Sequence, residues 1–320
     1  MSLPDVLRSP LSLPVVASPM FIASGPALVT AQCQAGVIGA FPALNARPAA
    51  LLDEWLHEIR ESNATFAAEN PSLPVAPFAV NQIVHKSNDR LEADMDLVVK
   101  HEVPIVITSL GARPEINDAV HSYGGIVLHD IINDRFAHKA IEKGADGLIA
   151  VAAGAGGHAG TQSPLALLQE IRAWFDGPLL LSGAIAHGRS ILAALAAGAD
   201  FAYVGSAFLA THEANVVEGY KQMIVDSHAA DIVYSNLFTG VHGNYLRGSI
   251  EASGLDPENL PTSDPSAMSF GTSDSKAWRD IWGSGQGVGA VDGVVPTADL
   301  VARLRAEFDA AKAELTAKLA

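Results

Sequence analysis

Residues 147–160 read Gly147-Leu148-Ile149-Ala150-Val151-Ala152-Ala153-Gly154-Ala155-Gly156-Gly157-His158-Ala159-Gly160. The first five are small or apolar without alternation, the pattern of a strand buried on both faces of a parallel sheet. The remainder is glycine and alanine around one ionisable side chain, His158. Glycine adopts positive φ and lets backbone approach a flat ligand closely. The imidazole is the one group in this loop able to move a proton. A strand end, a small-residue loop and a lone His make His158 the candidate catalytic residue; a satisfied loop histidine is the alternative.

The same unit recurs on both sides of this stretch. Short apolar runs at 15–18, 37–41, 78–81, 105–108, 126–129, 147–151, 179–182 and 201–204 alternate with helix-like segments near 26–35, 48–62, 88–101, 113–122, 134–143, 163–175 and 188–197. Gly36, Gly144 and Gly198 stand where helices stop before the next strand, as expected at C′. Eight β/α units without a dinucleotide fingerprint at the first turn predict a closed (β/α)₈ TIM barrel rather than a doubly wound sheet.

From 211 to 286 the sequence turns rich in His, Asn, Ser, Gly and Pro, with turn chemistry at 254–258 and 261–265 and a helical run at 216–230. This predicts an inserted, mostly helical cap subdomain (211–286) on a barrel formed by 1–210 and 287–320. The last segment predicts an amphipathic helix capped by Thr297, with Leu300, Val301, Leu304, Phe308, Ala311 and Leu315 on one face.

The chain has 320 residues, 49% hydrophobic but only 17% charged and 6% aromatic, with a net charge of −15. Aliphatic and alanine side chains therefore build the core. No basic stripe exists to neutralise a nucleic-acid backbone. One cysteine permits neither an internal disulfide nor a cysteine metal cluster. The N-terminus lacks a basic region followed by an apolar stretch, and no run approaches a membrane span. A cytoplasmic enzyme with no metal, no membrane and no nucleic-acid partner is expected.

Barrel active sites lie at the carboxyl ends of the strands, with a phosphate site often after strands seven and eight. Here those strands end in Ser182-Gly183 and Gly205-Ser206. Backbone N–H groups at such glycines can face a phosphate, and a helix N-terminus favours its charge. Tight turns and a plain Ser206 N-cap are the alternatives. The formal G-x-G-x-x-A match at 154–159 follows the sixth strand and lacks an acidic ribose partner, so a dinucleotide reading is rejected. Zincin, P-loop and serine-hydrolase motifs are absent.

Taken together these motifs resemble the nitronate monooxygenase family, formerly 2-nitropropane dioxygenases. The resemblance rests on Ala155-Gly156-Gly157-His158-Ala159-Gly160, on Ala17-Ser18-Pro19-Met20, on Phe78-Ala79-Val80-Asn81, on the two phosphate loops, and on Trp282-Gly283-Ser284-Gly285-Gln286 with Ser in place of the family's Ala. It covers roughly 12–210 and 280–290. It implies an FMN cofactor, its phosphate on Ser182, Gly183, Gly205 and Ser206 and its ring near Met20, Asn81, Gly156, Gly157 and Gln286. His129, at the end of the fifth strand, is a further candidate contact; Asp130 stands where some relatives carry a basic residue. The implied reaction is oxidation of alkyl nitronates by O₂ to carbonyl compound and nitrite, with His158 as base or polar partner. Alternatives are an NAD(P)H-dependent flavin reductase of the enoyl-ACP or quinone type, and a silent flavin-binding protein. A homodimer is left open.

Overall fold

The structure is a computed structural model that describes residues 3–263 and 280–320. In chain order the strands are β1 (Val15–Ala17), β2 (Gly39–Pro42), β3 (Phe78–Ile83), β4 (Ile105–Ser109), β5 (Ile126–Ile131), β6 (Gly147–Val151), β7 (Gly157–His158), β8 (Leu179–Ser182), β9 (Phe201–Val204), β10 (Ile232–Ser235) and β11 (Gly243–Leu246). Eight of them form one parallel sheet in the order β1-β9-β8-β6-β5-β4-β3-β2. A parallel bridge between Val16 and Ile38 closes it, with Ala17 N–H donating to Ile38 O at 2.8 Å and Ile38 N–H to Val15 O at 3.1 Å. The eight strands expected from sequence are all present, in a (β/α)₈ barrel. The second starts at Gly39 because Ile38 only bridges to β1 while the Val37 N–H bonds back to Gln32 O.

Strand alternation sorts the side chains. Val16, Ile38, Ala79, Ile105, Ile107, Ile126, Leu128, Ile149, Leu180 and Phe201 fill the barrel interior in one cluster. Val80, Val106 and Val127 face the surrounding helices, as do Leu148, Ala150, Leu181 and Ala202. The connecting helices are Pro26–Gln34, Leu51–Glu69, Leu91–Lys100, Pro114–His121, Asp134–Glu142, Pro164–Arg172, Gly188–Ala196 and Ser206–Leu209. Three begin on proline at N1, where its fixed φ suits the first turn and its missing N–H costs nothing. After two others, Gly144 (φ 93°) and Gly198 (φ 108°) make the left-handed stop.

Beyond the barrel lie helices Glu218–Asp226 and Arg247–Ala252, strands β10 and β11, a short 3₁₀ turn at Gln286–Ala290 and the C-terminal helix Thr297–Leu319. The strands add something the sequence reading lacks. β10 pairs antiparallel with β11, and β11 with β7, so part of the loop carrying His158 is an edge strand of a small sheet. Gly243 and Asn244 disguise β11, whose partner lies some eighty residues earlier.

Thr297 does not cap the last helix. Pro296 occupies the cap position, and the Thr297 hydroxyl instead donates to Glu213 Oε2 at 2.8 Å, tying helix to chain at 213. Leu300, Val301, Leu304 and Ala311 are buried, while Leu315 is 39% exposed because the helix outruns the barrel. Gly188 admits this helix: a Cβ there would stand 2.2 Å from Phe308 N and 2.4 Å from Leu304 O. Among the described residues no helix is long and apolar enough to cross a membrane.

Candidate active site

A cavity of about 1220 Å³ opens at the carboxyl ends of the barrel strands, where the fold places its chemistry. It is lined by Met20, Asn81, His129, Asp130, Gly156, Gly157, His158, Ser182, Gly183, Gly205 and Ser206, with Tyr220, Tyr234, His242 and Trp282 from the segment after the barrel. Ten of the eleven residues singled out in the sequence therefore share one cavity.

His158 sits in β7, opposite Gly243 of β11. Its Nε2 lies 2.9 Å from Thr239 Oγ1. The Thr239 hydroxyl donates to Val241 O at 3.1 Å, so Oγ1 is able to accept from Nε2 and the contact holds the ring in one orientation. Surrounding protein disfavours the charged ring and pushes its pKa down to about 4. The imidazole is thus neutral at neutral pH and able to accept a proton.

The glycines of the loop serve packing as well as approach. A Cβ on Gly156 would stand 2.8 Å from Gly285 N, one on Gly285 2.6 Å from Gly154 O, and one on Gly243 2.7 Å from Gly157 O. Three backbone segments therefore meet without side chains between them.

The cavity floor is a hydrogen-bonded chain. Asn81 donates through Nδ2 to Ser109 Oγ at 2.7 Å and to Ile107 O at 3.2 Å. With both amide protons engaged, Oδ1 is the group Asn81 presents to the cavity. The Ser109 hydroxyl and the Leu110 N–H in turn bond the Asp130 carboxylate; burial nonetheless raises its pKa to about 6, and its charge adds to the upward push on neighbouring Tyr203. Sequence reasoning noted Asp130 only as a departure. Alternation could have found it: Ile126 and Leu128 face the barrel interior, so Asp130 does too.

The same alternation corrects His129. It shares the helix-facing side with Val127, is 6% exposed, and its Nδ1 lies 2.6 Å from Thr108 Oγ1. Burial and the nearby Lys143 charge lower its pKa to about 4. It borders an outer lobe of the cavity rather than the barrel mouth.

Gln286 is exposed and lies outside the cavity wall. Its backbone N–H donates to Gly154 O at 2.9 Å, which turns the chain so that the side chain covers Gly154 from outside. Met20 stands in a loop fixed by Asn45, a residue the sequence reading missed. Asn45 donates to Met20 O at 2.9 Å and to Ser24 O at 2.8 Å, and accepts from Ile22 N at 2.9 Å. Ile22 has φ 67°, uncommon for a β-branched residue, and this clamp holds it there.

On the far side Gly183 has φ 138°, and a Cβ would meet Ala153 O at 2.7 Å. Gly205 leaves room beside Ser18 and Met20, where a Cβ would stand 3.4 Å and 3.8 Å from their nearest atoms. Ser206 opens a short helix and accepts from Gly285 N at 2.8 Å. The first-turn N–H groups of Ser206 and Ala207 have no intrahelical acceptor. Among the described residues no group of three His, Cys, Asp or Glu is placed to hold a metal ion.

A family model described as nitronate monooxygenase matches residues 7–307. The chain belongs to the nitronate monooxygenase family. This family member is an oxidoreductase enzyme. It is 26% identical to the nitronate monooxygenase of Paraburkholderia phytofirmans over 92% of both chains. It is 27% identical to a 5-hydroxy-7a-methyl-1-oxo-octahydroindene-4-carboxyl-CoA dehydrogenase of Rhodococcus jostii, over 75% of this chain and 65% of the relative. In a Mycobacterium tuberculosis protein named for monooxygenase activity, 30% identical, the matched part spans 44% of that longer protein. The nitroalkane oxidase of Streptomyces ansochromogenes superposes with a TM-score of 0.80 at 25% identity, over 95% of this chain and 97% of that one.

Proposed function

We propose that this enzyme uses FMN to oxidise alkyl nitronates with O₂, giving a carbonyl compound and nitrite. The carrying observation is His158: a neutral imidazole, oriented by Thr239, in the wall of a cavity that also holds two glycine loops suited to a phosphate. The residues fit FMN. At Gly183 a side chain would strike Ala153 O, and at Gly205 the absence of one leaves open space beside Ser18 and Met20. Backbone N–H groups of Ser206 and Ala207 would hold the phosphate. FMN, when bound, supplies two-electron redox chemistry and reactivity toward O₂.

The chain's own residues bind, orient and move protons. Met20, fixed by Asn45, offers a polarizable surface for a flat ring. Asn81, with Nδ2 engaged by Ser109 and Ile107, would offer Oδ1 as an acceptor to the bound cofactor. The His158 imidazole takes a proton from the carbon bearing the nitro group, or, once the nitronate is formed, holds its oxygen through the protonated ring. Residues 1–210 and 287–320 would hold the cofactor, and 211–286 would wall the substrate through Tyr220, Tyr234, His242 and Trp282. Tyr220 and Trp282 are stacked, with ring centroids 4.9 Å apart, a rigid apolar side for an alkyl chain.

The size of the cavity favours one second reading, an NAD(P)H-dependent flavin reductase. Mixing the purified yellow protein with a small alkyl nitronate in air, without nicotinamide, should consume O₂ and release nitrite. Flavin bleaching by NADH or NADPH under anaerobic conditions, with no nitrite from any nitronate tried, assigns the reductase instead.

A further inference from the structure

We propose that the outer lobe of the cavity, between the loop after β4 and helix Asp134–Glu142, is a subsite for the phosphorylated nucleoside tail of a ligand whose reacting end lies at the barrel mouth. The proposal goes beyond the nitronate reading and does not depend on it.

Charge carries the first part. The chain holds 35 acidic against 20 basic residues. Among the described residues lining the cavity the balance reverses: Arg47, Lys139 and Lys143 against Asp130 alone. Among the described residues none of these three cations is paired with a carboxylate; Lys143 Nζ donates to Ala112 O at 2.7 Å, and Arg47 Nε to Leu44 O at 2.9 Å. Asp130 lies on the interior face of β5. Lys139, in the last turn of helix Asp134–Glu142, and Lys143, its C-cap, both line the cavity. Neighbouring His129 remains neutral beside Lys143. Glu115, within reach of the Lys143 field, is held by Arg113. A lysine pair of this kind is a point-charge phosphate binder.

Shape carries the second. Pockets of about 300–1,000 Å³ enclose a drug-sized ligand, and about 1220 Å³ lies above that range. Beside the lysines Ile132 and Phe136 are 41% and 44% exposed. The Lys139 ammonium lies 6.0 Å from the centre of the Phe136 ring. An exposed aromatic next to lysines that no described carboxylate neutralises suits a base stacked on the ring with its phosphates on the ammonium groups. An adenosine-phosphate tail has that chemistry, whether it belongs to a coenzyme A thioester or to a reduced nicotinamide dinucleotide.

The test is calorimetric titration of the FMN-loaded protein with coenzyme A and, separately, with NADPH, in low and high salt. We expect at least one to bind, more weakly as salt rises. Lys139→Glu/Lys143→Glu should weaken binding by about tenfold or more, and Lys139→Arg/Lys143→Arg by no more than about threefold, since charge is kept. Flavin absorbance should show equal FMN content in both variants. If the reversed pair fails to fold, Lys139→Ala/Lys143→Ala replaces it with the same expected loss. Binding of coenzyme A alone assigns a thioester tail; binding of NADPH alone assigns a hydride donor. Absence of binding by either ligand at millimolar concentration overturns the subsite, as does affinity unchanged in the charge-reversed and alanine variants.

Discussion

His158 and Thr239, 81 residues apart, meet with Nε2 and Oγ1 at 2.9 Å. The contact joins the barrel loop to the segment that follows the barrel, and it holds the imidazole in one orientation. Thr239→Val keeps the shape and removes the acceptor. FMN content should be unchanged while kcat/KM falls about tenfold, the worth of one buried hydrogen bond. The acid limb of the pH–rate profile should move as well, a change that a merely structural threonine would not produce.

His158→Ala should retain flavin and lose on the order of 10²–10⁴ in turnover, the usual contribution of a general base. The test substrate is a neutral nitroalkane compared with its preformed nitronate. A base role predicts the larger loss on the neutral form. Equal losses on both assign the ring to holding the nitronate, and no loss on either removes His158 from the chemistry.

Gly205→Asp should abolish flavin retention while the far-ultraviolet dichroism stays that of the parent. The carboxylate would occupy the space beside Ser18 and Met20 and oppose a phosphate's charge. Full FMN occupancy in this variant would place the phosphate elsewhere.

The barrel was legible because its signals are local. Each strand is a short apolar run, and helix stops such as Gly144 and Gly198 sit where backbone sterics require them. The positions of His158, Asn81, Ser182 and Gly205 followed, since strand ends define the mouth. What escaped depends on parity or on distant pairing. The swap between His129 and Asp130 turns on one residue of strand register. Asn45 acts through Met20, Ile22 and Ser24, more than twenty residues earlier. Strand β11 takes its identity from Gly157 and His158, a pairing no local pattern announces. Gln286 lies behind Gly154, tied to it by a backbone bond that no local pattern announces.

That pairing gives a fourth prediction. Gly243→Ala places a Cβ 2.7 Å from Gly157 O, so β7 and β11 must separate. Overpacking of this kind costs about 1–3 kcal/mol. Thermal unfolding should fall by several degrees, and activity should drop more than stability, because His158 moves with β7. A variant with parental activity would show that the small sheet does not position the imidazole.

Asp130 supplies the last test, through pH. Its carboxyl titrates near 6 in the folded chain against 3.8 as a free side chain. Between these values the folded state binds more protons than the unfolded one, so stability falls as pH rises from about 4 through about 6. Asp130→Asn removes that dependence while keeping an oxygen for the Ser109 hydroxyl and the Leu110 N–H. His158, shifted the other way, loses stability as pH falls from 6.5 through about 4, but it is present in both proteins and cancels in the difference. The variant should therefore melt higher than the parent at pH 7.5, with the gap closing toward pH 4. A gap constant across this range, or one that opens toward acid, would mean that Asp130 is not ionised against its surroundings at the barrel floor.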